Sequence, residues 1–487
     1  MALQNMNVVI FVTDQERRVM NFPPGWGEQH LPGLNRLKAN GLSFERAFTN
    51  ACMCSPARAT LLTGYFPAQH GVKYTLEQSM TGSQYPQVPM PLPAQMGNLA
   101  TVMSATGRTP VYKGKFHVTK YTGAKWVPSD VAQYGFNRWN PRDAGANQDV
   151  DEEGGGMIDN DARFMYMDGS MEAGMEGVLA YLRKVAVEQQ PFCLVVSLVN
   201  PHDVLFYPNN FTAGGYDDSW LSGDIQPPGS VGEDLSTKPR IQSEFLKLTN
   251  LGLGSLTSTQ DQSNYLNFYG NLMKLADAYL VEVLDALDAL KLTDDTLVIR
   301  TADHGEMGLT HGGARQKNFN FYEPTMNIPL VYSNPVLFPS AVVSQALVSH
   351  VDFLPTLAGL FDAPAAARSA WAGVDYSSII RDPTAPPVQD YLVFTYDDYQ
   401  CGQAAPSLPP PNHIVSIREE RYKLAEYYDA DGQIPSEWEM YDLIADPDEF
   451  DNLAATSATR TAEQQLAYDR LRVELQRVRQ TRLQPLA

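Results

Sequence analysis

Two acid-led pairs and one cysteine-led stretch hold the side chains best suited to chemistry. Asp14-Gln15 and Asp303-His304 together offer two hard carboxylates, an amide oxygen and an imidazole nitrogen. Mostly oxygen donors with one nitrogen suit a single divalent cation, Ca²⁺ or Mn²⁺ ahead of Mg²⁺, and fit a structural zinc poorly. Any one of these residues alone reads as a helix cap or a surface acid, and only the combination points to a metal. Arg58, Lys115, His117, His202 and Lys317 add donors around it. Such a pocket would stabilise an anion such as sulfate or phosphate while charge builds on it in a transition state.

The stretch Cys54-Ser-Pro-Ala-Arg58 places a thiol at the start of a helix. Ser55 is a natural N-cap, Pro56 a natural first helical residue and Gly64 a natural left-handed end, which predicts a helix over 56–63. Cys54 then precedes the cap, beside unpaired backbone N–H groups that favour an anion. Arg58 in the first turn adds a fixed fork of donors. Cys52, two residues earlier, reads as a packing residue.

The elements that must position these residues alternate along the chain. Residues 7–13, 192–199 and 296–299 are apolar, β-rich runs of the kind buried on both faces of a parallel sheet. Polar residues follow each: Asp14-Gln15, Asn200-Pro-His202 and Asp303-His304. Residues 328–332 add a further strand. Helices are expected over 32–40, 96–106, 171–188 and 265–290, the last with Leu272, Leu275, Tyr279, Val283, Leu287 and Leu290 inward. The Gly-, Pro- and Ser-rich segment 203–260 reads as an irregular wall of the site. Residues 140–161 read as a solvated loop, with a calcium site at Asp149, Asp151, Glu152 and Glu153 as the weaker reading. Past about residue 383, short extended runs at 391–395, 413–417 and 422–427 precede a helix over 461–480. That helix carries a Thr461/Gln464 capping box, with Leu466, Leu471, Leu475 and Val478 inward. The fold class is therefore α/β, a mostly parallel sheet flanked by helices that binds ligands at its strand ends, with a small C-terminal α+β domain.

A chain of 487 residues exceeds what one core usually organises, and the expected division is 1–385 and 386–487. Four cysteines, Cys52, Cys54, Cys193 and Cys401, are too few for a disulfide framework. No apolar run approaches the roughly 18 residues of a membrane span, and residues 8–12 are too short for a signal segment, so the chain as given reads as cytoplasmic. A net charge of −20 argues against nucleic acid or an anionic membrane as partners. A homo-oligomer is compatible with the sequence.

Cys54-Ser-Pro-Ala-Arg58, followed by Leu61, Thr63 and Gly64, resembles the sulfatase signature, whose Cys-x-Pro-x-Arg core is read by a formylglycine-generating maturation enzyme. Only Cys54 fits, because Cys52 has Cys54 where the proline belongs. The resemblance extends to Gly114-Lys-Phe-His117, Asn200-Pro-His202, Asp303-His-Gly-Glu306, Lys317 with Tyr322-Glu323, and 438–453, nearly the whole chain. It implies an alkaline-phosphatase-like α/β domain with a small C-terminal sheet domain.

Carried to these residues, the resemblance implies that Cys54 becomes formylglycine, whose hydrate binds the metal beside Asp14, Gln15, Asp303 and His304 and is held by Arg58 and Lys115. One hydroxyl would attack sulfur. His202 and Lys317 would bind the ester oxygen that leaves, and His117 would take the second hydroxyl's proton as sulfate is released. Many sulfatases have Asp-Asp and Asp-Asn where this chain has Asp14-Gln15 and Asp303-His304, and these departures resemble choline sulfatases and phosphonate monoester or phosphodiester hydrolases. A small sulfate ester is the favoured substrate, a phosphorus ester the alternative. A catalytically inactive binding protein of the same fold would leave gaps in the constellation, and there are none.

Overall fold

The computed structural model describes residues 3–76, 90–121, 123–144, 160–169, 175–400 and 408–486. Its strands are β1 (Asn7–Asp14), β2 (Gly41–Phe44), β3 (Ala47–Phe48), β4 (Thr109–Gly114), β5 (Phe192–Pro201), β6 (Thr296–Ala302), β7 (Leu330–Ser333), β8 (Val342–Ser344), β9 (Val348–Ser349), β10 (Tyr391–Tyr396), β11 (His413–Glu419), β12 (Tyr422–Tyr428) and β13 (Glu437–Asp442). The first sheet runs β4-β5-β1-β6-β7-β2-β8. Its left half is parallel, β4 to β5 to β1 to β6, and β7 is antiparallel to both of its neighbours.

Burial on both faces explains the apolar runs. Val8 to Val12 of β1 and the whole of β5 are buried, one face against each of two large hydrophobic clusters. The register aligns the strand ends: Val12 pairs with Ser197, Asp14 with Pro201 across a bulge, Thr13 with Ala302 and Gly114 with Ser197. Asp14, Lys115, His202 and Asp303 therefore leave the sheet at one edge, the usual ligand edge of such folds.

The helix Thr259–Ala289 covers one face, burying Leu266, Leu272, Tyr279, Val283 and Leu287, while Leu275 and Leu290 are only partly covered. It starts ahead of the expected residue 265, where the Ser258 hydroxyl accepts from Asp261 N at 3.0 Å. The expected irregular wall also contains a regular helix, Arg240–Leu253. The expected helix over 171–188 is seen as Val178–Glu188; residues 170–174 lie outside the described residues, as do Asp149, Asp151, Glu152, Glu153 and Cys401.

The second sheet, β10-β11-β12-β13, is antiparallel and carries the helix Ala462–Thr481. The Thr461/Gln464 capping box is present. Ala467, Leu471, Leu475 and Val478 pack inward, but Leu466 is 72% exposed, one position off the buried stripe. A third cluster joins Cys52 and Met53 to Leu392, Phe394, Tyr396 and Tyr441, so the segment leading to Cys54 rests on the C-terminal sheet.

Candidate active site

Cys54 starts the helix Cys54–Thr63, whose N-cap is Met53. The expected cap, Ser55, lies inside the first turn, because its hydroxyl accepts from Leu76 N at 2.9 Å. Gly64 ends the helix at φ 71°, as expected. Cys52 is buried with its thiol on Thr325 O at 3.3 Å, and burial pushes that thiol's pKa far up.

Asp14, Cys54, Asp303 and His304 each present one donor atom within 4.8 Å of the others, all fully buried. His304 Nδ1 lies 3.0 Å from Gly305 O, an acceptor only, so Nδ1 carries the proton and Nε2 the lone pair. Nε2 points into the group, 3.3 Å from Cys54 Sγ, 3.8 Å from Asp14 Oδ1 and 3.7 Å from Asp303 Oδ1. Burial lowers the His304 pKa, keeping it neutral, the form that binds a cation. Burial alone would raise the Asp14 carboxyl, but the Lys115 ammonium and the Arg58 guanidinium hold it well below the usual carboxylate range. Two carboxylates and a lone-pair imidazole converging in a buried space fit a divalent cation. Gln15 sits beside them at φ 64° with its amide oxygen directed to Lys317 Nζ, 2.5 Å away.

Arg58 braces the acids. Its Nε lies 3.0 Å from Asp303 Oδ2 and its Nη2 3.0 Å from Asp14 Oδ2, while Nη1 donates to Lys115 O at 2.8 Å and Ser197 Oγ at 2.7 Å. Lys115 Nζ lies 2.7 Å from Asp14 Oδ2. Burial would lower the Lys115 pKa, but Asp14 keeps it raised. Gly114, at φ 107°, lets the end of β4 close on β5 just before Lys115: a Cβ there would stand 1.9 Å from Ser197 O.

His202 is buried, and burial pushes its imidazole well below its ordinary range despite the pull of Asp14. Its Nδ1 has no hydrogen-bond partner among the described residues. His117 is held by Leu76 O, 2.5 Å from Nε2, which puts the ring proton on Nε2 and the lone pair on Nδ1. Asp143 grips the same turn, accepting from Phe116 N at 2.8 Å and His117 N at 2.7 Å. Asp161 accepts from Val199 N and Asn200 N at 2.6 and 2.9 Å, just before His202. Both acids are buried, which corrects the reading of 140–161 as solvated at its two ends. Their acidic, Gly-rich neighbourhood hid them, and only the contact with distant backbone N–H groups reveals them. Asp398 accepts from Thr75 N and Oγ1 at 2.8 Å, tying the end of β10 to the segment that meets His117.

The sulfatase family model matches residues 6–363. This chain belongs to the sulfatase family. It is a sulfuric ester hydrolase of alkaline-phosphatase-like fold. A second model, N-sulphoglucosamine sulphohydrolase C-terminal, matches residues 312–479. The chain is 24% identical over 462 residues to the ulvan-active sulfatase of Formosa agariphila, covering 94% of this chain and 79% of that one. The structure of a 2-O GAG sulfatase superposes with TM-score 0.71 at 20% identity, over 98% of this chain and 92% of the other. The phosphonate monoester hydrolase of Agrobacterium radiobacter superposes with TM-score 0.66 at 20% identity, over 97% and 95%.

Proposed function

We propose that this sulfatase hydrolyses small organosulfate monoesters, of the aryl sulfate type or similar, by way of formylglycine formed at Cys54. The observation that carries the reading is the convergence of Cys54 with Asp14, Asp303 and His304 in one buried group, beside the Lys115–Asp14 ion pair. Asp14, Gln15, Asp303, His304 and the residue at 54 would hold one divalent cation, Ca²⁺ or Mn²⁺ ahead of Mg²⁺, which supplies Lewis-acid stabilisation of the anion. The aldehyde, once a maturation enzyme has made it, supplies in its hydrated form the oxygen that attacks sulfur.

The chain's own residues do the rest. Arg58 holds both acids in place, and Lys115 offers its remaining protons to the sulfuryl oxygens. As the S–O ester bond breaks, negative charge moves onto the leaving oxygen, where Lys317 and neutral His202 donate. His117, with its lone pair on Nδ1, takes the proton that must go for sulfate to be released and the aldehyde restored. Gln15 and His304 favour a second reading, hydrolysis of phosphonate monoesters or phosphodiesters at the same site, since the donors recognise a tetrahedral anion of either kind.

Parallel kcat/KM measurements on an aryl sulfate and the matched aryl phosphonate monoester test this. The reading predicts a higher value for the sulfate, and a phosphonate preference of about tenfold or more would replace it with the second reading.

A further inference from the structure

Glu306 is wholly buried behind the cation site, on a carboxylate that meets neutral donors. Tyr265 OH donates to Oε1, Gly308 N donates to Oε1 at 3.2 Å, and Gln15 Nε2 donates to Oε2 at 3.4 Å. The nearby Arg17 guanidinium donates to the backbone oxygens of Glu306 and Met307 instead. The other end of the Gln15 amide faces Lys317 Nζ at 2.5 Å. Gln15 is also fixed along its backbone, by N to Asp303 Oδ1 at 3.0 Å and by O from Tyr269 OH at 2.8 Å.

An amide between a carboxylate and an ammonium has one sensible orientation. A carboxylate only accepts and an ammonium only donates, so the NH₂ must face Glu306 and the oxygen Lys317. Rotating the amide by half a turn would oppose donor to donor and acceptor to acceptor. We infer that Glu306 is a positioning residue: through Gln15 it turns the amide oxygen toward Lys317 and so fixes the place of the Lys317 ammonium. The inference rests on the proposed role of Lys317 at the leaving oxygen.

The test compares Glu306→Leu, Glu306→Gln, Lys317→Ala and the Glu306→Leu/Lys317→Ala double variant on aryl sulfates whose phenols run from strongly to weakly acidic. A misplaced ammonium hurts most where the leaving oxygen needs most help. Glu306→Leu should therefore lose about tenfold more kcat/KM on the poorest leaving group than on 4-nitrophenyl sulfate. Glu306→Gln keeps an oxygen for the Gln15 NH₂ and should stay within about fivefold of the parent. Added to Lys317→Ala, Glu306→Leu should cost less than about twofold more. A loss equal on every phenol, or fully additive with Lys317→Ala, overturns the inference. A Lys317→Ala loss that is the same for every phenol sinks the role of Lys317 instead, while non-additivity still upholds the coupling.

Calorimetric titration of the metal-free protein with Ca²⁺ gives a readout apart from turnover. Glu306→Leu should bind within about tenfold of the parent, whereas Asp303→Asn should weaken binding by about a hundredfold. A Glu306→Leu loss as large as that of Asp303→Asn would make Glu306 a support of the cation site rather than of Lys317 and overturn the inference.

Discussion

Lys115 Nζ lies 2.7 Å from Asp14 Oδ2, and neither side chain is exposed to solvent. The pair joins the ends of β4 and β1, so it is at once a structural tie and the positive charge closest to the cation group. Lys115→Met leaves Asp14 with Arg58 as its remaining cationic partner. We expect kcat/KM to fall by about 10²- to 10³-fold and the unfolding free energy to drop by about 3–5 kcal/mol, the cost of breaking a buried pair. Steady-state kinetics with urea unfolding checks both, and a variant within about threefold of the parent would remove Lys115 from the site.

Asp143 grips the turn that carries His117 through the backbone N–H groups of Phe116 and His117. An asparagine in its place offers one accepting oxygen instead of two, so one of those N–H groups loses its partner. Asp143→Asn should lower kcat by about tenfold with KM nearly unchanged, because the turn that carries His117 shifts while the anion site stays. Equal changes in both parameters would argue for a general loss of order.

Asp161 predicts a pH dependence of stability. Burial raises its carboxyl to about 6, so the folded protein keeps a proton that the unfolded chain gives up near pH 4. The stability this proton contributes is complete below about pH 4 and is lost as pH rises through about 6. Asp161→Asn has no such proton. The unfolding free energy of the parent minus that of the variant should therefore fall by on the order of 2 kcal/mol between about pH 4 and 6.5. Urea titrations at several pH values across that window measure it, and a constant difference would contradict the assignment.

The sheet and the site are legible where sequence and burial speak the same language. Residues 8–12 and 192–199 are apolar without alternation because both faces are covered, and the polar residues after them mark where the sheet stops. Cys54 and Arg58 are readable from their spacing, and the register then delivers Asp14 and Asp303 to the same guanidinium. Contacts set by distant partners are less legible. Ser55 has the chemistry of a cap, but Leu76 N takes its hydroxyl and the helix begins two residues earlier than expected, at Cys54. The helix Arg240–Leu253 buries only Ile241, Gln242 and Thr249, too thin a stripe to stand out in a Gly- and Pro-rich stretch. Gln15 groups with the cation donors by its position after β1, whereas its orientation depends on Glu306 and Lys317, each far away in the chain.

The central claim is that the attacking oxygen comes from an oxidised Cys54. The most direct measurement is mass spectrometry of the peptide spanning Cys54, from active protein made in a host that has the maturation enzyme. The account predicts the mass of an aldehyde, or its hydrate, in place of the thiol, with Cys52 unmodified in the same peptide. A fully active preparation in which position 54 is an intact thiol throughout would contradict it.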